Sequence, residues 1–186
     1  MPLRIVTLVK QIPAFAELRL DAEGRLDRAH GDPEMNPYCR RAVAGSVALA
    51  ADHGGSVTVL TLGPDAAEDV LREAIAWGTA RGVPTTGVLV TDPAFAGSDT
   101  LATARALAAA ITRVGPFDLV VAGRNSVDAD TGQVPPELAE LLDLPLLAGV
   151  RHWSLAGRTL DARCEHDDGW LQARMRLPGS SPPPND

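Results

Sequence analysis

The residues best suited to chemistry lie together in one stretch: Gly123, Arg124, Asn125, Ser126, Val127, Asp128, Ala129, Asp130, Thr131, Gly132, Gln133 and Val134. This stretch follows an apolar run, Phe117–Ala122, and leads into Pro135 and a helical pattern. Glycine at each end lets the backbone turn tightly and come close to a ligand. Free amides at a helix start, together with the helix dipole, attract anions. Ser126, Thr131 and Gln133 add hydrogen-bonding groups, and Arg124 can neutralise phosphate charge. Asp128 and Asp130 repel a phosphate unless they point away from it or accept ribose hydroxyls. Turn-forming residues recur in every strand-to-helix connection. Composition alone therefore leaves this stretch evenly open between an anion site and a plain connection.

A second group is Asn36-Pro37-Tyr38-Cys39. Asn caps free amides and Pro fits the first helical turn, so a helix is expected to begin here. A well-capped helix explains these residues without a ligand. Cys39 sits where a helix dipole can lower a thiol pKa. Without a basic partner or a neighbouring cysteine, it is read as a packing residue. The histidines His30, His53, His152 and His166 show no metal-ligand spacing, and Trp77, Trp153 and Trp170 read as core or interface residues. No G-x-G-x-x-G follows the first apolar run, and no phosphate-loop motif G-x-x-x-x-G-K-[ST] occurs. Nothing in the chain suggests an acid–base pair, a nucleophile or a metal centre.

The elements that must position these groups alternate. Leu3–Val9, Ser56–Leu62, Thr86–Thr91, Phe117–Ala122 and Pro145–Val150 read as five buried strands. Between them fall helices from Asn36 to His53, Asp65 to Arg81, Ser98 to Val114 and within Gln133–Leu142. This order predicts an α/β domain over residues 1–150: a doubly wound, mostly parallel five-stranded sheet with helices on both faces. Such sheets bind ligands beyond the strands' carboxyl ends, at the switch point. A small hairpin is expected over Glu17–Arg28. An antiparallel meander is expected over 151–178, with Asp168-Gly169 marking a turn. The last residues, 179–186 (GSSPPPND), carry nothing to bury and are expected to be disordered.

Composition narrows the possibilities further. The 186 residues carry a net charge of −7, which argues against a nucleic-acid surface. No apolar run approaches the roughly 20 residues of a membrane span. Two distant cysteines and the lack of a signal-like start point to a reduced, cytoplasmic setting.

Several segments together resemble the beta subunit of electron-transfer flavoproteins. They are Ile5–Pro13 (IVTLVKQIP), Asn36–Cys39 (NPYC), Val57–Pro64 (VTVLTLGP), Leu71–Gly78 (LREAIAWG), Asp99–Ile111 (DTLATARALAAAI) and Phe117–Pro145, with DADTGQV at its centre. The resemblance implies a heterodimer with an alpha subunit that carries the redox-active FAD. It implies AMP in the beta chain, or a second FAD as in electron-bifurcating relatives. The flavoprotein would relay electrons from dehydrogenases, such as acyl-CoA dehydrogenases, to a quinone oxidoreductase or a similar acceptor. It would be an electron carrier without catalytic residues of its own. Carried onto this sequence, the nucleotide contacts fall on Leu8, on Asn36, Pro37, Tyr38 and Cys39, on Leu62, and across Gly123–Val134. Family members continue beyond the position of Leu177-Pro178, where this chain reads GSSPPPND. That difference keeps a second reading open: a stand-alone adenine-nucleotide module of the same fold that has lost redox-partner docking.

Overall fold

The computed structural model describes residues 2–14, 20, 22, 24 and 32–178. The Glu17–Arg28 hairpin expectation and the 179–186 tail expectation fall almost wholly or wholly outside these residues.

Four strands form one parallel sheet: β1 (Arg4–Leu8), β4 (Ser56–Leu62), β5 (Thr85–Val90) and β6 (Leu119–Ala122). Their spatial order is β5-β4-β1-β6. Every pairing is parallel, with Ile5 opposite both Val57 and Leu119. The short strands β2 (Gln11–Pro13) and β3 (Pro33–Met35) form a separate antiparallel pair near the end of β1.

Both faces of the sheet are covered, as continuously apolar strands require. Helices α1 (Pro37–Asp52) and α2 (Glu68–Ala80) pack on one face, where Ile5, Val57, Val59, Val43 and Ala74 share a core. Helices α3 (Thr100–Val114) and α4 (Val134–Leu141) cover the other, where Val6, Leu60, Leu107, Ile111 and Leu138 meet. Alternation along β1 sends successive side chains to opposite cores. The fit of α2 on β5 is close: a Cβ added at Gly78 would lie 2.6 Å from Thr85 Cβ. The chain leaves β1 for β4 on one side and returns to β6 on the other, so the switch point lies between β1 and β6.

Three strands complete the described chain: β7 (Val150–Ala156), β8 (Thr159–His166) and β9 (Gly169–Arg176). They form the expected antiparallel meander, with turns at Gly157-Arg158 and Asp167-Asp168. Its inner residues Leu160 and Met175 join the α1 side of the core, and a Cβ at Gly45 would lie 2.8 Å from the Trp153 ring.

Two expectations need correction. The sheet has four strands, because Pro145–Val150 does not form the fifth. Pro145 has no N–H to donate, and Gly149 turns the chain at φ +67° just before β7. The second correction concerns Asn36. Its side chain does not cap α1, whereas Asp99 does cap α3, accepting from Ala102 N at 2.7 Å.

Candidate functional site

The crevice beyond β1 and β6 is built by the segment that follows β6. At Gly123 it is pressed against the first turn of α1. A Cβ there would lie 3.0 Å from the Tyr38 carbonyl carbon and 3.2 Å from Cys39 N, so only glycine fits without displacement. Asn36, fully buried, spends its side chain on the same segment. Its Nδ2 donates to Asn125 O at 2.9 Å, and its Oδ1 accepts from Val127 N at 3.2 Å. That is why it does not cap its own helix, whose first bonds use the Asn36 carbonyl instead: Cys39 N and Arg40 N donate to it at 2.8 and 3.1 Å.

A third anchor comes from just past β1. Lys10 Nζ donates to Ser126 Oγ at 2.8 Å and to Asp128 Oδ1 at 2.7 Å. The Asp128 side chain has no exposed surface, while Lys10 keeps 39% of its own. Asp130, at φ +50°, accepts from the Asn125 side chain. Asp128 is thus held by Lys10 and Asp130 by Asn125. Ser126 O accepts from Ala129 N at 3.2 Å and Asp130 N at 2.7 Å, closing a tight turn. Gly132 follows at φ +63°. Among the described residues, the amides of Thr131 and Gly132 have no hydrogen-bond partner. Asn125 Oδ1 is buried without one.

The start of α4 offers fewer amides than an ordinary helix. Pro135 and Pro136 have no N–H, and Glu137 N is taken by Gln133 O at 3.1 Å. Donors for an anion therefore come from the loop itself. Thr100, at the head of α3, donates to Glu137 Oε1 at 3.0 Å and joins the two helix starts.

The sequence-derived residues separate into distinct roles. Asn36, Asn125, Ser126, Val127 and Asp128 form one bonded unit with Lys10. Arg124, Ala129, Asp130, Thr131 and Gln133 are exposed, and Gly132 is half-buried. Val134, Leu8 and Leu62 turn their side chains into the α3–α4 core, so only their backbone stands at the crevice. Pro37 is exposed, and Tyr38 is half-buried under the Arg41 guanidinium, 5.6 Å from the ring centre. Cys39 is buried in the α1 core. Burial raises its thiol pKa, outweighing the lowering by the Asn36 hydrogen bond and by Lys10. A thiol kept protonated in this way is no nucleophile, in line with the packing role. Trp153 is half-buried, whereas Trp77 and Trp170 are exposed.

Sequence reasoning missed Lys10. The signal was available: the chain's 17 basic residues include a single lysine, and it stands just past the first strand.

A cavity of about 1330 Å³ borders the same region. It takes in Tyr38, Gly123, Arg124, Asn125 and Gly132, and then runs along β6 toward the meander. Leu8, Asn36 and Leu62 do not line it.

Comparison with known proteins places the chain in a family. The electron transfer flavoprotein domain model matches residues 24–183. This chain belongs to the electron transfer flavoprotein family. Among curated proteins of the beta-subunit branch, it is similar to protein FixA of Azorhizobium caulinodans, with 40% identity over 95% of this chain and 64% of that protein. It is also similar to the electron transfer flavoprotein subunit beta of Clostridium acetobutylicum, with 38% identity over 95% of this chain and 66% of that protein. The chain thus spans just under two thirds of the length of these flavoprotein relatives. Among solved structures, a universal stress protein family member from Burkholderia pseudomallei superposes with a TM-score of 0.50. It covers 79% of this chain and 95% of its own at 19% identity, a likeness of fold alone. No helix among the described residues is long and apolar enough to cross a membrane.

Proposed function

We propose that this chain is the nucleotide-holding part of an electron-transfer flavoprotein beta subunit, carrying AMP or a second FAD and pairing with an FAD-bearing alpha subunit. The observation that supports this reading most directly is the bonded unit of Lys10, Asn36 and the loop Gly123–Val134 at the sheet's switch point. Such crevices receive nucleotides in doubly wound sheets. Curated relatives at 37–38% identity are named as electron transfer flavoprotein beta subunits.

The residues present suit an adenine nucleotide. The amides of Thr131 and Gly132 donate to phosphate oxygens, and Arg124 adds charge at the rim. Asn125 Oδ1, buried and unpartnered among the described residues, accepts from a ribose hydroxyl or a base amine. Asn36 and Lys10 act through the loop: they hold its backbone in one shape, so binding does not have to order it. A flavin, when bound in the assembled flavoprotein, supplies the electron-carrying chemistry. The protein's share is to bind, orient and exclude water. In this reading the chain is an electron-carrier component and not an enzyme. Its donors are dehydrogenases, and its acceptor is a quinone oxidoreductase or a similar protein.

The test is co-expression of this chain with a candidate alpha subunit, followed by denaturation and identification of the released nucleotide by mass spectrometry and absorbance. AMP or FAD in near-stoichiometric yield supports the reading. Nucleotide bound to the chain alone, with no alpha-subunit complex, favours the stand-alone module. A colourless monomer that releases no adenine nucleotide overturns both.

A further inference from the structure

The donors and charges around the loop limit how much phosphate it holds. An ordinary helix start offers four free amides. In α4 the corresponding positions are Val134, Pro135, Pro136 and Glu137. The two prolines have no N–H, and Glu137 N already donates to Gln133 O at 3.1 Å. Both prolines line the same cavity as Arg124, Asn125 and Gly132, so the positions that lack donors border the crevice. Gln133 N is directed at Thr131 Oγ1, 3.5 Å away. From Thr131 to Glu137, the amides without a partner among the described residues are those of Thr131, Gly132 and Val134.

The charges point the same way. Lys10 is held by Asp128, and the Arg41 guanidinium lies over the Tyr38 ring. Arg124 is exposed and forms no ion pair among the described residues. Against it stand two carboxylates that flank the free amides. Asp130 immediately precedes Thr131. Glu137 lies one helical turn beyond Gln133, and Thr100 Oγ1 touches both side chains, 3.0 Å from Glu137 Oε1 and 3.3 Å from Gln133 Oε1. The other carboxylate oxygen, Glu137 Oε2, is buried and has no hydrogen-bond partner among the described residues. A charge shielded from water in this way is screened less than one on the open surface.

We propose that Glu137, Pro135 and Pro136 fix the phosphate count of the ligand. The loop holds one phosphate group and turns away a second, so the chain selects a nucleoside monophosphate over a diphosphate and over a dinucleotide joined by pyrophosphate. This rests on the reading of Gly123–Val134 as a nucleotide site and narrows that reading to AMP. One phosphate is matched by the free amides and by Arg124. A second that extends toward α4 finds two amides absent and the Glu137 carboxylate in its way. In the other direction it meets Asp130. Selectivity of this kind comes from the repulsive group as much as from the attractive ones.

The experiment is calorimetric titration of the full chain, freed of bound nucleotide, with AMP, ADP and FAD. ADP separates the phosphate count from any effect of the flavin. AMP is expected to bind at least ~tenfold more tightly than ADP or FAD, the size of effect that one unit charge about 10 Å away has in a partly buried site. Glu137→Gln keeps the acceptor for Thr100 and removes the charge. It is expected to narrow the gap between AMP and ADP by about tenfold. Pro135→Ala restores an N–H and is expected to strengthen ADP and FAD relative to AMP by roughly fivefold, the worth of one hydrogen bond. A purely structural role would weaken all three nucleotides by the same factor, and unchanged ratios in both variants overturn the proposal. Equal binding of AMP and ADP by the unaltered chain overturns it as well, as does FAD binding more tightly than AMP; neither result touches the nucleotide reading. A chain that binds none of the three overturns the nucleotide reading itself, and this inference with it.

Discussion

Lys10 and Asp128 form an ion pair at 2.7 Å in which the carboxylate is wholly buried and the ammonium partly exposed. The pair joins the end of β1 to the loop after β6, two segments 118 residues apart. Lys10→Met leaves Asp128 buried with its cation removed. The expected cost is on the order of 1–3 kcal/mol, kept modest by the solvent that reaches Lys10. Adding Asp128→Asn in the same chain should recover part of the loss, since a buried negative charge is removed along with the ammonium. Urea unfolding of the two single variants and the double variant checks this. Strict additivity would show that the pair is not coupled.

Asn36 binds the same loop twice, so truncation has a local signature. Asn36→Ala frees Val127 N and Asn125 O, and the Val127 amide should exchange at least ~tenfold faster, the equivalent of one lost hydrogen bond. Asn36→Asp keeps the acceptor for Val127 but loses the donor to Asn125 O. Its effect on Val127 exchange should be smaller than that of Ala. Residue-resolved hydrogen exchange distinguishes the two variants.

Gly132 separates backbone shape from space. Its φ is +63°, and a Cβ there would lie 3.7 Å from Arg124 O, an ordinary contact. Gly132→Ala should therefore cost only the left-handed strain, about 1–2 kcal/mol. Gly132→Val adds bulk where a phosphate is proposed to meet the backbone. AMP affinity by calorimetry should fall at least ~tenfold further for Val than for Ala. Unchanged AMP occupancy in the Val variant would show that the phosphates lie elsewhere.

Asp118 gives a pH dependence with a defined sign. Burial pushes its carboxyl pKa up, but the Arg4 amide and the guanidinium groups of Arg158 and Arg4 outweigh burial and hold it below the ordinary 3.8. A folded-state pKa below the unfolded one binds fewer protons when folded. Its contribution to stability is complete above the unfolded value and drains away as pH falls through the folded one. Thermal unfolding should therefore show a decline below pH ~4 that Asp118→Asn reduces. An identical acid limb in both proteins would mean that other carboxylates carry it.

The sheet is legible in the sequence because its strands are uniformly apolar and its helices are set off by caps and glycines. The ends of Ser56–Leu62 follow from the sequence as observed, and those of Pro37–Asp52 to within a residue. The reading fails at Pro145–Val150, where an apolar run resembles a strand but a missing N–H and a left-handed glycine prevent pairing. Local pattern cannot show whether a neighbour's edge is reached. The loop Gly123–Val134 is legible as a turn-rich connection at a strand's carboxyl end. What holds it is not. Asn36 reads as a cap because capping is a local rule, while its partners in the loop lie 89 and 91 residues away. Lys10 escapes notice for the same reason: its carboxylate is distant in sequence and adjacent only after the sheet has formed.

Arginine supplies every other positive side chain, so Lys10 holds the chain's only ε-amine. An acylating reagent consequently has one internal target, and that target is engaged at the foot of the candidate crevice. Mass spectrometry of the tryptic peptide that contains it becomes a single-site footprint, free of background from other lysines. Its rate of modification reads how often the β1 end and the β6 loop let go of each other.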